Sequence, residues 1–292
     1  MELSWPMKLR IAATAAVGVI LIGILARPFA EPFSRVGAMG YKGSVVLVVL
    51  AFLSGLIAYF ASWPYGREIG ILAAPSGLAI WAVRSGNMAG LIQQNPTVAQ
   101  RQELAASLQW EPVFWLVVVA AGFAGVMLGQ TIKPGKDLKD IRQKSNPGPG
   151  RYLNAIIALA CSALLAQIFI RVFAQDVRVF DKGLGSVISQ PAVGQIVFAV
   201  LVSFGLAAFV VKKFFDVSYI WPSIASVFVT AFAVSVYARE VQYLVPNWPA
   251  TFFSNSVVSI LPVQMVAFGT LGSVAGYWMA FRYDFWRKHE LK

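Results

Sequence analysis

Residues 112–132 read PVFWLVVVAAGFAGVMLGQTI and hold no Asp, Glu, Lys or Arg. At 1.5 Å per residue a helix of that length covers the ~30 Å of a bilayer's hydrocarbon. The same freedom from charge recurs over 43–66, 152–170, 183–211, 217–238 and 241–281. Each interval contains an apolar run close to the length needed for a crossing. The expected fold is therefore all-α: a polytopic integral membrane helical bundle.

Composition agrees. Of 292 residues 58% are hydrophobic and 13% charged, about half the charged share of a soluble domain, and mean hydropathy is +0.68. So much of the chain is needed for helices that the connections are too short to form a separate soluble domain, and a single transmembrane domain, 1–292, is expected. Lys8 and Arg10 before the apolar run Ile11–Ala26 resemble a secretory signal. That run ends at Arg27-Pro28-Phe29 rather than at small residues, so it reads as a retained first helix.

The expected crossings are Ile11–Ala26, Ser44–Ser62, Ile69–Val83, Pro112–Ile132, Leu153–Phe173, Gln195–Val211, Ile220–Ala238 and Val257–Phe281. Basic residues orient them. The 133–151 connection, with Lys133, Lys136, Lys139, Arg142, Lys144 and Arg151, and the tail, with Arg282, Arg287, Lys288 and Lys292, both belong in the cytoplasm. That places the C-terminus inside. For the first half the charge rule ties: eight crossings and seven each put fifteen basic residues inside. Ile69–Val83 covers only ~22 Å. Pro64 suits a first helical turn and Arg84 can snorkel, which lengthens the segment and favours eight. Pro75, Ser76 and Gly77 suit the alternative, seven crossings plus a re-entrant segment.

Two connections stand out. Residues 84–111 form an extracytoplasmic loop in which Asn95-Pro96-Thr97 looks like a helix start, with Val98, Leu104, Ala105 and Leu108 on one face of a short surface helix. Ser145-Asn146-Pro147-Gly148-Pro149-Gly150 is a breaker-rich turn between a front and a back set of four helices. Four Trp-Pro pairs (Trp5-Pro6, Trp63-Pro64, Trp221-Pro222, Trp248-Pro249) are more than chance would place. Trp favours the headgroup level and Pro the first helical turn, so each pair is expected where a helix enters the membrane.

The residues of catalysis are sparse. His289 is the only histidine and stands in the tail; Cys161 is the only cysteine and sits mid-run, where low dielectric opposes a thiolate. No metal site, catalytic constellation or cofactor is expected, and Gly37, Gly40 and Gly43 are not spaced as a phosphate loop. The net charge of +11 follows from cytoplasmic Lys and Arg rather than from nucleic-acid binding. No acidic residue falls within an expected crossing; Glu68, Glu111, Asp216 and Glu240 lie at the ends, and Arg171 can snorkel or pair with Asp176.

Of the polar residues at depth, Gln167, Thr230 and Gln264 are the candidates for a shared cavity. Gly122, Gly125 and Gly129, and likewise Gly269, Gly272 and Gly276, form helix-packing faces that admit close backbone approach, within the chain or against another subunit. The expected function is a structural, assembly or accessory component of a membrane complex. Its partners would be the lipid bilayer and other membrane subunits or itself, and its home a bacterial cytoplasmic (inner) membrane. The six basic residues of 133–151 would contact anionic lipid or a partner. A channel or transporter for a neutral or lipidic substrate is the alternative, and an enzyme built on Arg67 with Glu68, or on Glu111, comes third.

Overall fold

Long runs of Leu, Val, Ala and Phe with proline confined to their ends favour helix, since nothing interrupts the i→i−4 ladder. The computed structural model describes residues 4–28, 41–134, 150–175 and 177–290. Its helices are α1 (Trp5–Gly18, continued by a π-helical stretch Val19–Leu25), α2 (Tyr41–Ala61), α3 (Gly66–Ile69), α4 (Ala73–Arg84), α5 (Met88–Gln93), α6 (Val98–Leu108) and α7 (Glu111–Ile132). Then come α8 (Gly150–Phe173), α9 (Val193–Phe215), α10 (Ile220–Asn247) and α11 (Pro262–Glu290). The protein is mainly helical. Six helical stretches are long and apolar enough to cross a membrane: Trp5–Leu25, Lys42–Ala61, Val98–Ile132, Tyr152–Phe173, Val193–Phe215 and Ile220–Asn247.

Two compact units divide the chain. The first comprises Met1–Ser34, Ala38–Arg84 and Phe114–Arg151; the second comprises Arg35–Gly37, Ser85–Val113 and Tyr152–Lys292.

In the first unit the segment expected at 69–83 runs as three consecutive pieces: α3, a 3₁₀ turn at Gly70–Leu72, and α4. Pro75 has no N–H to offer the Ile71 carbonyl, and the tightened turn precedes it. The whole segment lies parallel to α1. Arg10 stacks on Tyr65, a β-carbon on Gly18 would overlap the Ala73 carbonyl, one on Gly77 would overlap the Gly18 carbonyl, and Gly23 faces Ile80. Near the far end the Trp81 indole donates to the Ile22 carbonyl at 2.6 Å. That bond gives a partner to a carbonyl in the π-helical stretch, where the usual ladder is interrupted.

In the second unit two connections form a small antiparallel sheet in the order β1-β2-β3 (Arg178–Asp181, Gly185–Ser189, Phe252–Phe253). Arg178 pairs with Ile188 and Ile188 with Phe253. The β1–β2 turn is held by Asp181, whose carboxylate accepts the Leu184 N–H at 2.9 Å, the Trp248 indole N–H at 2.9 Å and the Gly183 N–H at 2.7 Å. These donors favour the ionised form and hold the Asp181 pKa below its ordinary 3.8.

Two expectations are corrected here. Trp248-Pro249 does not mark a helix start: Trp248 is the C-cap of α10, and the chain turns into β3 before α11 begins at Pro262. Pro249 cannot extend α10, and the Trp248 indole is committed to Asp181. Trp5-Pro6 and Trp221-Pro222 do lie in first turns, while Trp63-Pro64 sits in the turn between α2 and α3. The helix expected to end at Ala238 continues to Asn247, carrying Glu240 inside it.

Candidate functional site

Helix α6 begins as the sequence suggests. Thr97 caps it, accepting the Gln100 N–H at 3.3 Å, and the Gln100 side chain accepts the Thr97 N–H at 3.2 Å, a complete capping box. Its buried face is Arg101, Leu104, Ala105 and Leu108, one stripe at i, i+3, i+4 and i+7. The face packs on α10 rather than lying free on a surface. Arg101 is 7% exposed. Its Nε donates to the Asn95 carbonyl at 2.9 Å, and its guanidinium lies near the Tyr237 hydroxyl. No carboxylate among the described residues comes within ion-pair distance of it.

Glu240 sits one turn beyond Tyr237 on α10; its Oε2 and the Tyr237 oxygen are both sealed from solvent and have no hydrogen-bond partner among the described residues. A buried guanidinium and a buried phenol thus meet where α6 covers the end of α10, with Glu240 one turn further along α10. Such a group can hold water or a small polar ligand, because unmet hydrogen-bonding capacity in a buried place is costly. Sequence reading did not single out Arg101. The signal was present, since Arg101 is in phase with Leu104, Ala105 and Leu108.

Around this group the connections are tied by glutamines. Gln190 accepts the Ala89 N–H at 3.0 Å and donates to the Ser259 carbonyl at 3.1 Å. Gln264 accepts the Leu261 N–H at 3.1 Å, the return half of a capping box at the start of α11, and donates to the Gly86 carbonyl at 3.0 Å.

Two of the three candidate cavity residues are buried and hydrogen-bonded to backbone. Gln264 is 0% exposed and occupied by those backbone bonds; Thr230 is 1% exposed and donates to the Ser226 carbonyl at 2.7 Å. Gln167 is half-buried on α8. Both glycine faces pack within the chain. A β-carbon on Gly55 would overlap the Gly122 carbonyl, one on Gly125 the Phe52 carbonyl, and one on Gly129 would come within 2.7 Å of the Tyr59 ring, so α2 and α7 lie backbone to backbone. In the second unit Gly272 meets the Leu201 carbonyl, Gly276 the Gly205 carbonyl and Gly269 the Phe204 ring, which seats α11 on α9.

The remaining charges lie at the edges. Glu68 is exposed, Asp216 is exposed as a left-handed C-cap of α9 ion-paired with Lys212, Glu111 is half-buried in the first turn of α7, and Arg171 is exposed. Cys161 packs, partly buried, against Ala158, Val211 and Val217. Lys133 is exposed at the end of α7. Lys136, Lys139, Arg142, Lys144 and Asp176 lie outside the described residues, as do the side chains of Arg151 and His289. No group of three or more His, Cys, Asp or Glu suited to a metal ion occurs among the described residues. Compared with known proteins, the chain matches no family model, no curated protein and no solved structure.

Proposed function

We propose that the chain is an eight-crossing membrane protein with a cytoplasmic C-terminus, acting as a structural or assembly component of a larger membrane complex. The observation that carries the non-transport part is the use made of Thr230 and Gln264. Both are buried and bonded to backbone, so the polar groups best placed for a pathway close the interior instead.

The helix count draws support from helix direction. In the first unit the 66–84 segment runs alongside α1 from Arg10 to Gly23. In the same unit Gly55 meets Gly122 and Tyr59 meets Gly129, so α2 and α7 are parallel, as alternating crossings require. In the second, Leu201 meets Gly272 and Gly205 meets Gly276, so α9 and α11 are parallel; Tyr219–Tyr277 and Ser226–Gly269 make α10 antiparallel to α11. The cations on aromatic rings, Arg10 on Tyr65, Lys133 on Trp63, Lys212 on Tyr277 and Lys213 on Tyr283, all fall at ends that this topology assigns to the cytoplasm. A bacterial cytoplasmic membrane is the home this arrangement suits.

With both glycine faces consumed internally, a partner subunit would bind the apolar flank of α1 in the first unit or that of α8 in the second. Exposed Ile20, Ile24, Ile156, Leu164, Ile168 and Val172 lie there. Purification from native membranes in mild detergent, followed by cross-linking and mass spectrometry, should return a defined second protein. A lone monomer with nothing co-purifying overturns the proposal.

A further inference from the structure

We infer that the rim of the first unit formed by Arg10, Trp63, Tyr65 and Lys133 is a binding site for the phosphate headgroup of an anionic phospholipid. Three chain ends converge there: the start of α1, the turn between α2 and α3, and the end of α7. The Lys133 ammonium sits 4.3 Å from the centre of the Trp63 ring, and the Arg10 guanidinium 5.7 Å from that of Tyr65. Lys133 is further fixed through its backbone, whose carbonyl accepts the Tyr59 hydroxyl at 2.6 Å.

Ring contacts orient a cation without neutralising it, unlike a carboxylate. Neither Arg10 nor Lys133 lies within ion-pair distance of a carboxylate among the described residues. Lys212 of the second unit differs, since Asp216 neutralises it. Trp63 and Tyr65 are 41% and 40% exposed, amphipathic rings suited to the depth where headgroup meets acyl chain. Lys8 and Arg67, both exposed nearby in sequence, add to the positive field, against Glu68. Two oriented cations not offset by a carboxylate, each stacked on an interfacial ring, match a phosphate monoanion anchored by lipid tails. An acidic segment of a cytoplasmic protein would meet the same charges but has no use for rings at that depth.

The inference rests on the membrane reading, and one preparation separates the two. The full chain is reconstituted in nanodiscs of phosphatidylcholine with phosphatidylglycerol, and lipid retained on release is counted by native mass spectrometry. Failure of the chain to enter the discs at all sinks the membrane reading, and the site with it. With insertion achieved, the wild type should retain phosphatidylglycerol over phosphatidylcholine. Arg10→Gln with Lys133→Gln should lower that retention about thirty-fold, at roughly 1 kcal/mol per surface cation, while the charge-matched Arg178→Gln with Lys182→Gln stays within about twofold. Arg10→Lys with Lys133→Arg should keep it. Equal loss in both neutralised variants, or no preference in the wild type, overturns the inference. So does a co-purified protein that leaves with the Arg10 and Lys133 charges while lipid stays. Should the neutralised variant not fold, the wild-type preference and the charge-conserving variant still decide.

Discussion

The α2–α7 contact and the layer of connections in the second unit solve the same problem by opposite means. Between α2 and α7 four glycines (Gly55, Gly122, Gly125 and Gly129) remove side chains altogether, and backbone rests on backbone. In the connections, long polar side chains reach out: Gln190, Gln264 and Asp181 each satisfy backbone groups from two separate stretches, or from a turn and an indole. Where helices satisfy their own backbones, cohesion comes from close approach and dispersion. Where the chain turns, N–H and C=O groups need partners, and side chains supply them.

The contrast breaks most visibly at Gly125. Gly125→Leu must drive its side chain into the Phe52 carbonyl; a cost of ~3 kcal/mol or more is expected, seen as loss of the monodisperse species in detergent. Gly276→Ala collides with the Gly205 carbonyl and should cost ~1–3 kcal/mol in thermal unfolding. Gly194→Ala, which meets nothing within 4 Å, should be neutral or stabilising by up to ~1 kcal/mol. If Gly276→Ala and Gly194→Ala behave alike, the close-approach account is wrong.

In the polar layer, Gln264→Leu leaves the Leu261 N–H and the Gly86 carbonyl without these bonds. A loss of ~1–3 kcal/mol is expected, with faster hydrogen exchange near both residues. The hairpin should also respond to acid. Because the folded pKa of Asp181 is depressed, its stabilisation is full above the ordinary 3.8 and disappears as pH falls through the lowered folded value. Exchange at Gly183 and Leu184 should therefore accelerate in that acid window, and Asp181→Asn should abolish the dependence. The smallest effect belongs to Ser203, whose buried hydroxyl has no partner among the described residues; Ser203→Ala should lie within about 0.5 kcal/mol of wild type.

Much of this architecture was legible in the sequence. Runs without charge gave most helix positions, because length and apolarity dominate when neither face needs to be polar. Asn95-Pro96-Thr97 announced the start of α6, and the structure adds the reciprocal bond from Gln100. The glycine spacings pointed to close packing, but whether they met α2 and α9 or another protein required the fold. Arg101 escaped because a charge on an otherwise apolar stripe reads as a solvated residue until its neighbours are known. The hairpin escaped because its pairing with β3 joins residues far apart in sequence, and Gln264 because a capping bond and a cavity lining look alike in one dimension.

The exposed edge of β1 has a consequence for solubility of the turns. An unpaired strand edge is a template on which another chain can add by backbone pairing. Here the edge spans only Arg178–Asp181, opens on a cation and closes on an anion. A strand this short and this charged is a poor template for a neighbour, although Phe180 stands exposed on it.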